Sequence, residues 1–436
     1  MDILLESTWL LVVLLAFLAG GVWIAAVLLI TGWVGMVMFT SAPAGPLLAT
    51  TVWAASSNWA LTSLPLFIWM GEILFRSRIS EDMFRGLAPW VGRLPGGLVH
   101  TNVLGCGIFA AISGSSAATA ATIGRMTVPE LLQRGYDEKM VTGSLAGAGT
   151  LGLLIPPSII MIVYGVAADV SIARLFVAGV LPGVMLMALF SGYIVVWSRL
   201  NPQLQPPLEA AMPLAQKLAA AKYLFPTVAL IGAVVGSIYT GVATPTESAA
   251  LGVVGALLLS AWSGSMSRRV FIDGVYGAVK TSCMIGFILM GASFLTGAMG
   301  FTGIPRALAD WISHLGLAPW QLIAVLTLLF IVLGCFIDGI SMVVLTAAVI
   351  LPSVKAAGID LLWFGIFVVL VVEMAQITPP VGFNLYVLQS LTKRDMFYVA
   401  RASLPFFFLM VVAVAIIWAF PQVVTFLPGQ MFDLRK

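Results

Sequence analysis

Five residues of the kinds that stop or turn a helix recur along this chain at one fixed displacement. Pro129, Gly135, Asp137, Pro156 and Pro157 return as Pro352, Gly358, Asp360, Pro379 and Pro380, each 223 residues later and without a gap. Upstream, Leu104-Gly105-Cys106 returns as Leu333-Gly334-Cys335, with a small length difference between the two copies. A match of this length and spacing points to an internal duplication, so the two copies are expected to fold alike.

Both copies lie in a chain too apolar to be soluble. Of 436 residues, 61% are hydrophobic and 9% charged, against roughly 25% charged in an average soluble domain. Twenty-one basic and 18 acidic residues cannot coat two or three water-soluble domains, which predicts a polytopic membrane protein. The net charge of +3 is small and scattered, which argues against a nucleic-acid surface. Apolar stretches long enough to span about 30 Å of hydrocarbon lie near 9–30, 46–75, 171–198, 219–240, 243–263, 274–300 and 402–420. The first basic residue is Arg76, so the N-terminal apolar run is expected to stay as a membrane helix; residues 31–45 read either as a turn or as a second short helix. Pro202, Pro206, Pro207 and Pro213 mark 201–218 as an interfacial linker.

The duplicated regions, 96–168 and 319–391, are interrupted where an unbroken span should have no break, notably at Ser113-Gly114-Ser115-Ser116 and Asp338-Gly339-Ile340-Ser341. Each is predicted to be a two-armed re-entrant hairpin followed by a broken helix. Five crossings separate the hairpins, and five is odd, so the two enter from opposite faces and the repeat is inverted. Basic residues agree. Arg76, Arg78, Arg85, Arg93, Arg134 and Lys139, then Arg199, Lys217 and Lys222, then Arg268 and Arg269, then Lys393, Arg394 and Arg401 all fall on one face by this count, which the positive-inside rule makes cytoplasmic.

A helix broken in mid-membrane frees carbonyls that can replace a cation's hydration shell, and leaves half-helix N-termini that attract an anion. The breaks are predicted at Gly147–Ser158 and Glu373–Gly382, with Asn384 on the restarted helix and the two hairpin tips facing them. Each tip and break would form a cation cage of hydroxyl and carbonyl oxygens, with substrate between. Asp338, a carboxylate at a tip in an apolar segment, reads as functional, with an interfacial ion pair as the alternative. Glu373 reads equally as an ion ligand or as a pairing group. Glu247 reads as an N-terminal helix cap, and Gly143-x-x-x-Gly147 taken alone as helix packing. Cys106, Cys283 and Cys335 read as small buried residues. His100 and His314 have no metal-ligand spacing. With no GxxxxGK[ST], GxSxG or HExxH in the chain, it is expected not to be an enzyme, and transport driven by an ion gradient follows.

Several stretches resemble the large membrane subunit of tripartite ATP-independent periplasmic (TRAP) transporters: Ala111–Ala120 with Pro129-Glu130, Gly149–Ser158, Ala243–Ala250, Phe336–Met342 and Ile377–Leu385. The resemblance implies an all-α polytopic membrane fold, with inverted repeats of two hairpins and two broken helices forming an elevator-type transport domain against a scaffold. The corresponding divisions are N-terminal scaffold helices over 1–95, a first transport repeat over 96–170, scaffold and connecting helices over 171–318, a second transport repeat over 319–392, and a C-terminal helix and tail over 393–436. It implies import of an organic acid (a C4-dicarboxylate, sialic acid or other sugar acid) together with Na⁺, across the bacterial inner membrane. The implied partners are a periplasmic substrate-binding protein and a small four-helix membrane subunit, with membrane lipid around them; Na⁺ is the coupling ion and no other cofactor or transition metal is expected. Carried onto this chain, substrate contacts fall at Ser113, Ser115, Ser158, Asp338 and Asn384. Na⁺ contacts fall at Ser115, Ser116, Gly149, Thr150, Pro156, Gly339, Ser341, Gln376, Thr378 and Pro379. One departure is Val371, where family members often carry Asn two residues before the glutamate of the second break. A stand-alone Na⁺/dicarboxylate symporter of related architecture and an ion channel are the competing readings.

Overall fold

The computed structural model describes residues 3–207, 212–314, 318–379 and 382–431, and every regular element among them is helical. The span expected near 9–30 is two helices, α1 (Ile3–Ala19) and α2 (Ile24–Phe39). They are separated at Gly20-Gly21, where the N–H groups of Gly21 and Val22 return to the carbonyls of Leu18 and Phe17 at 3.0 and 3.1 Å. That pair of bonds closes a helix end on a left-handed glycine and overrides the apolar continuity. Residues 31–39 thus belong to a second short helix. The stretch 46–75 is likewise divided into α3 (Ala44–Ser56) and α4 (Ser63–Phe75), because Asn58 accepts a hydrogen bond from the Ala60 N–H at 2.9 Å and opens a 3₁₀ turn between them. An amphipathic helix not anticipated from the sequence follows, α5 (Ile79–Val91), with Met83, Leu87 and Val91 buried on one face and Arg85 exposed.

The first duplicated unit is a hairpin of α6 (His100–Ser113) and α7 (Ser116–Gln133), then α8 (Glu138–Gly149), α9 (Leu151–Leu154) and α10 (Ile159–Ala168), bent by 43° at the break. Long α11 (Ile172–Leu200) leads to α12 (Leu214–Ala221), which takes up the end of the proline-rich linker and meets α13 (Phe225–Tyr239) at 57°. Then come α14 (Pro245–Trp262), α15 (Arg268–Thr302) and a second amphipathic helix, α16 (Ile304–His314). The second unit pairs α17 (Pro319–Gly334) with α18 (Gly339–Ala356), followed by α19 (Leu361–Gln376) and α20 (Phe383–Thr392). Two helices close the described chain, α21 (Met396–Ala419) and α22 (Gln422–Gly429).

The repeated residues do the same work in both units. Gly135 and Gly358 take positive φ, 82° and 71°, and end α7 and α18 with matching pairs of backbone hydrogen bonds. Asp137 and Asp360 then cap α8 and α19, accepting from the N–H groups of Met140 and Trp363, each at 2.8 Å. Pro129 and Pro352 both lie inside the second hairpin arm. The correspondence runs further than the sequence suggested. Asp169 and Lys393, two non-glycine residues at φ 55° and 54°, end α10 and α20, and Pro182 and Pro405 sit inside α11 and α21. The amphipathic helices α5 and α16 precede their hairpins in the same way.

Contacts between distant segments fix the faces. Glu138 and Arg394 form a two-point ion pair at 2.6 and 2.7 Å; the Arg78 N–H donates to Ser265 Oγ at 3.1 Å; Lys217 lies 5.9 Å from the Trp90 ring centre. These contacts gather basic segments of the chain on one side. At the other side, the Tyr164 hydroxyl near the end of α10 donates to the Leu361 carbonyl at 2.8 Å, and Trp363 Nε1 donates to the carbonyl of Ile417 late in α21 at 2.9 Å. The second unit therefore begins its broken helix where the first ends, and the repeat is inverted. Among the described residues, five helices are long and apolar enough to cross a membrane, or up to seven if each bent pair is one span.

Several smaller expectations are resolved. Glu247 and Thr244 cap α14 reciprocally, with the Thr244 N–H on Glu247 Oε2 at 2.7 Å. Gly143 and Gly147 face Ala402 and Phe406, so this pair does serve close packing of α8 on α21. Cys106 is buried, but Cys335 is half-buried and Cys283 is exposed on α15, which corrects the expectation for the latter two. In a membrane helix an apolar residue faces lipid as readily as core, so apolar surroundings in the sequence did not require burial.

Candidate functional site

The first hairpin tip and the first helix break are packed against each other through backbone. The Ile159 N–H reaches the Gly114 carbonyl at 3.5 Å. A Cβ on Gly152 would lie 2.6 Å from the Ser115 carbonyl oxygen, so glycine is what permits this approach. Ser113 Oγ bonds Thr119 Oγ1 at 2.6 Å, and the Ser115 side chain caps α7 by accepting from the Ala118 N–H. Ser158 caps α10 by accepting from the Met161 N–H. Gly149 packs on Ala120, and Thr150 Oγ1 donates to the Gly147 carbonyl at 2.6 Å and lies 3.6 Å from Met410 Sδ. Pro156 and Pro157 supply no N–H, and the chain restarts as α10 only at Ile159.

The second tip repeats this arrangement with different chemistry. Asp338 is exposed and caps α18, accepting from the N–H groups of Ile340 and Ser341, both at 3.1 Å, while the Ser341 hydroxyl donates to its other oxygen. Gly339 is buried against Val372 and lies close to Gln376, a Cβ there falling 3.1 Å from Gln376 Nε2 and equally close to Ile160 of the first unit. Thr378 Oγ1 donates to the Met374 carbonyl at 2.8 Å, and Pro379 follows half-buried; Pro380 and Val381 lie outside the described residues. Asn384 is fully buried in the first turn of α20, and neither its Oδ1 nor its Nδ2 has a protein partner.

A buried side-chain hydrogen bond joins the tip of the first unit to the broken helix of the second. Glu373, 1% exposed in α19, accepts a hydrogen bond from the Ser116 hydroxyl at the first tip, with the Leu153 backbone N–H beside the same carboxylate; its Oε2 has no hydrogen-bond partner. Sequence reasoning weighed Glu373 as ligand or pairing group and did not place it among the site residues; the structure gives it a pairing role between the repeats. Its signal was its being the one carboxylate in the apolar helix Leu361–Gln376. Val371, two residues earlier, is fully buried in apolar packing, on another side of the helix from Glu373 at about 100° per residue. The arrangement thus brings Ser113, Ser115, Ser116, Gly149, Thr150, Pro156 and Ser158 into the first tip and break, and Asp338, Gly339, Ser341, Gln376, Thr378 and Pro379 into the second. Ser116–Glu373 and Ile160–Gly339 are among the bridges between them.

Four helix N-termini, those of α7, α10, α18 and α20, begin within this region, three of them capped by Ser115, Ser158 and Asp338. Segments 113–116, 147–158, 338–341 and 373–384 contain no Lys, Arg or His. The site can therefore offer hydroxyls, amides, carbonyls and helix dipoles, and no cationic side chain from these segments. Among the described residues no group of three or more His, Cys, Asp or Glu is arranged to hold a metal ion.

Residues 11–423 match the family described as tripartite ATP-independent periplasmic transporter, DctM component. The C4-dicarboxylate TRAP transporter large permease protein DctM of Pseudomonas aeruginosa is 31% identical over 387 residues, covering 88% of this chain and 89% of the relative. The ectoine/5-hydroxyectoine TRAP transporter large permease protein UehC of Ruegeria pomeroyi is 31% identical over 380 residues, covering 86% and 87%. Among solved structures, the YdaH transporter of Alcanivorax borkumensis is similar in fold, with a TM-score of 0.65 over 96% of this chain and 99% of that one at 13% identity.

Proposed function

This chain belongs to the DctM-component family of tripartite ATP-independent periplasmic transporters, and we propose that it imports a carboxylate-bearing organic solute with Na⁺ by an elevator movement. The observation that carries the reading is the paired tip-and-break site with no cationic side chain in its segments. An anion held there by helix N-termini, hydroxyls and the Asn384 amide still needs compensating charge. Na⁺ ions bound by the freed carbonyls and hydroxyls at each break supply it, and this makes substrate binding depend on Na⁺. The moving body comprises the two hairpin and broken-helix units, with Ser116–Glu373 among the contacts between them; α11, assigned above to the scaffold, and α21 are placed with it here because both pack on both units. The scaffold comprises α2, α3, α4, α14 and α15, which pack chiefly on one another. The chain works in a bacterial inner membrane with a small membrane subunit, and a periplasmic binding protein delivers its substrate. The relatives named for C4-dicarboxylates and for ectoine support a carboxylate as the shared group recognised.

The test is uptake into proteoliposomes holding this chain and its small subunit, with the binding protein outside and radiolabelled succinate, N-acetylneuraminate and ectoine as probes. An inward Na⁺ gradient should drive accumulation of a probe, and an equal K⁺ gradient should not. Uptake that ignores Na⁺ would overturn the coupling, and uptake without the binding protein would favour a stand-alone symporter.

A further inference from the structure

A pocket of about 410 Å³ opens on the basic face where three otherwise separate parts of the chain meet. Phe84 and Arg85 come from α5 and Arg93 from the turn after it, Glu130 and Arg134 from the outer end of α7, and Lys217 from α12. Four cations therefore face one carboxylate, and that carboxylate is already engaged, since Glu130 pairs with Arg134 at 2.6 Å. Arg85 and Arg93 are exposed, which keeps their charge at the mouth. The remaining walls are apolar and include Pro89 and Met212. Trp90, 41% exposed beside Lys217, sets the depth, because indole rings next to cations collect at the headgroup level of a bilayer.

We propose that this pocket seats the phosphate headgroup of an anionic phospholipid of the surrounding leaflet. The cluster of like charges offers a phosphodiester several donors at once, and the bidentate geometry of guanidinium suits phosphate oxygens. The apolar walls leave a path for acyl chains, which a free phosphate would not need. Basic pockets at this leaflet gain further from its negative surface potential. The lipid would tie the outer end of the first hairpin to α5 and α12. A consequence for transport rate rests on the elevator reading; the site itself does not.

The experiment uses the purified full chain, stripped of lipid, with thermal unfolding followed by tryptophan fluorescence and bound lipid counted by native mass spectrometry. Phosphatidylglycerol or cardiolipin should raise the unfolding temperature and remain bound, whereas phosphatidylcholine and inorganic phosphate at the same concentration should do neither. Arg85→Gln with Arg93→Gln should raise the half-saturating concentration of anionic lipid by roughly tenfold or more, with the lipid-free unfolding temperature unchanged. Arg268→Gln with Arg269→Gln, a basic pair on the same face outside this pocket, should leave the response intact. Equal loss in both double variants would replace the pocket by diffuse charge attraction, and an undiminished response in the pocket variant would overturn the site. A stabilisation by inorganic phosphate that depends on Arg85 and Arg93 would overturn the lipid as its source.

Discussion

The bond between Ser116 and Glu373 is the sharpest point at which the two repeats can be tested as one body. Both groups are buried, at 3% and 1% exposure, and lie 257 residues apart. Ser116→Ala removes a hydroxyl donor from a carboxylate that already has one oxygen without a partner. Depriving a buried polar group of a partner costs about 1–3 kcal/mol. Glu373→Met removes the acceptor while keeping similar volume, and replacing such a group by an apolar one can be nearly neutral. When Ser116→Ala is added to Glu373→Met, it should therefore have little further effect, which gives a coupling of about 1–3 kcal/mol between the two sites. The assay is equilibrium unfolding of the purified chain in detergent, read from its 13 tryptophans. Equal losses from Ser116→Ala with and without Glu373→Met would show that the two side chains act independently and that no bond couples the repeats here.

Three further outcomes follow from local geometry. Gly152→Ala places a methyl 2.6 Å from both the Ser115 carbonyl oxygen and the Ser116 Cα, and should destabilise by about 1–3 kcal/mol; Gly232→Ala, which meets nothing within 4 Å, should be neutral or slightly stabilising in the same unfolding assay. Asp338→Ala should lose a helix cap worth about 0.5–2 kcal/mol, whereas Asp338→Asn keeps the cap; loss of Na⁺-dependent uptake in the Asn variant assigns the charge to the site, and unchanged uptake in both variants removes Asp338 from it. The hydrogen bond from Arg394 holds the Glu138 carboxyl below its ordinary value of 4.5. Its contribution is complete above that value and disappears as pH falls through the lowered one. Acid titration of stability should thus be shallower in Glu138→Gln, by a small amount because the pair is solvent-screened.

The hairpins, breaks and inverted relation were legible because they are set by local rules. A glycine that must take positive φ and an aspartate that must cap the next helix announce themselves at any hydropathy, as Gly135-Tyr136-Asp137 and Gly358-Ile359-Asp360 do. The extension of the repeat through Asp169 and Lys393 was hidden because the same left-handed backbone is held by residues of opposite charge. α5 and α16 were hidden for another reason: helices of 13 and 11 residues with a polar face look like connectors when spans are sought by length. Glu373 and Ser116 are joined only by tertiary packing of two duplicated halves. No short-range pattern encodes that pairing, although a lone carboxylate in an apolar helix marks the place to look.

In the proposed elevator movement the two units travel together against the scaffold. Its most direct measurement is the distance between a spin label at Leu132, exposed near the end of α7, and one at Trp262, exposed at the end of α14, in a background with Cys106, Cys283 and Cys335 replaced. The chain is reconstituted with its small subunit and compared in K⁺, in Na⁺, and in Na⁺ with substrate. The account predicts two resolved distance populations whose ratio changes with Na⁺ and substrate, while a label pair within the moving body, at Leu132 and Tyr386, stays at one distance. A single unchanging Leu132–Trp262 distance in all three conditions would contradict it.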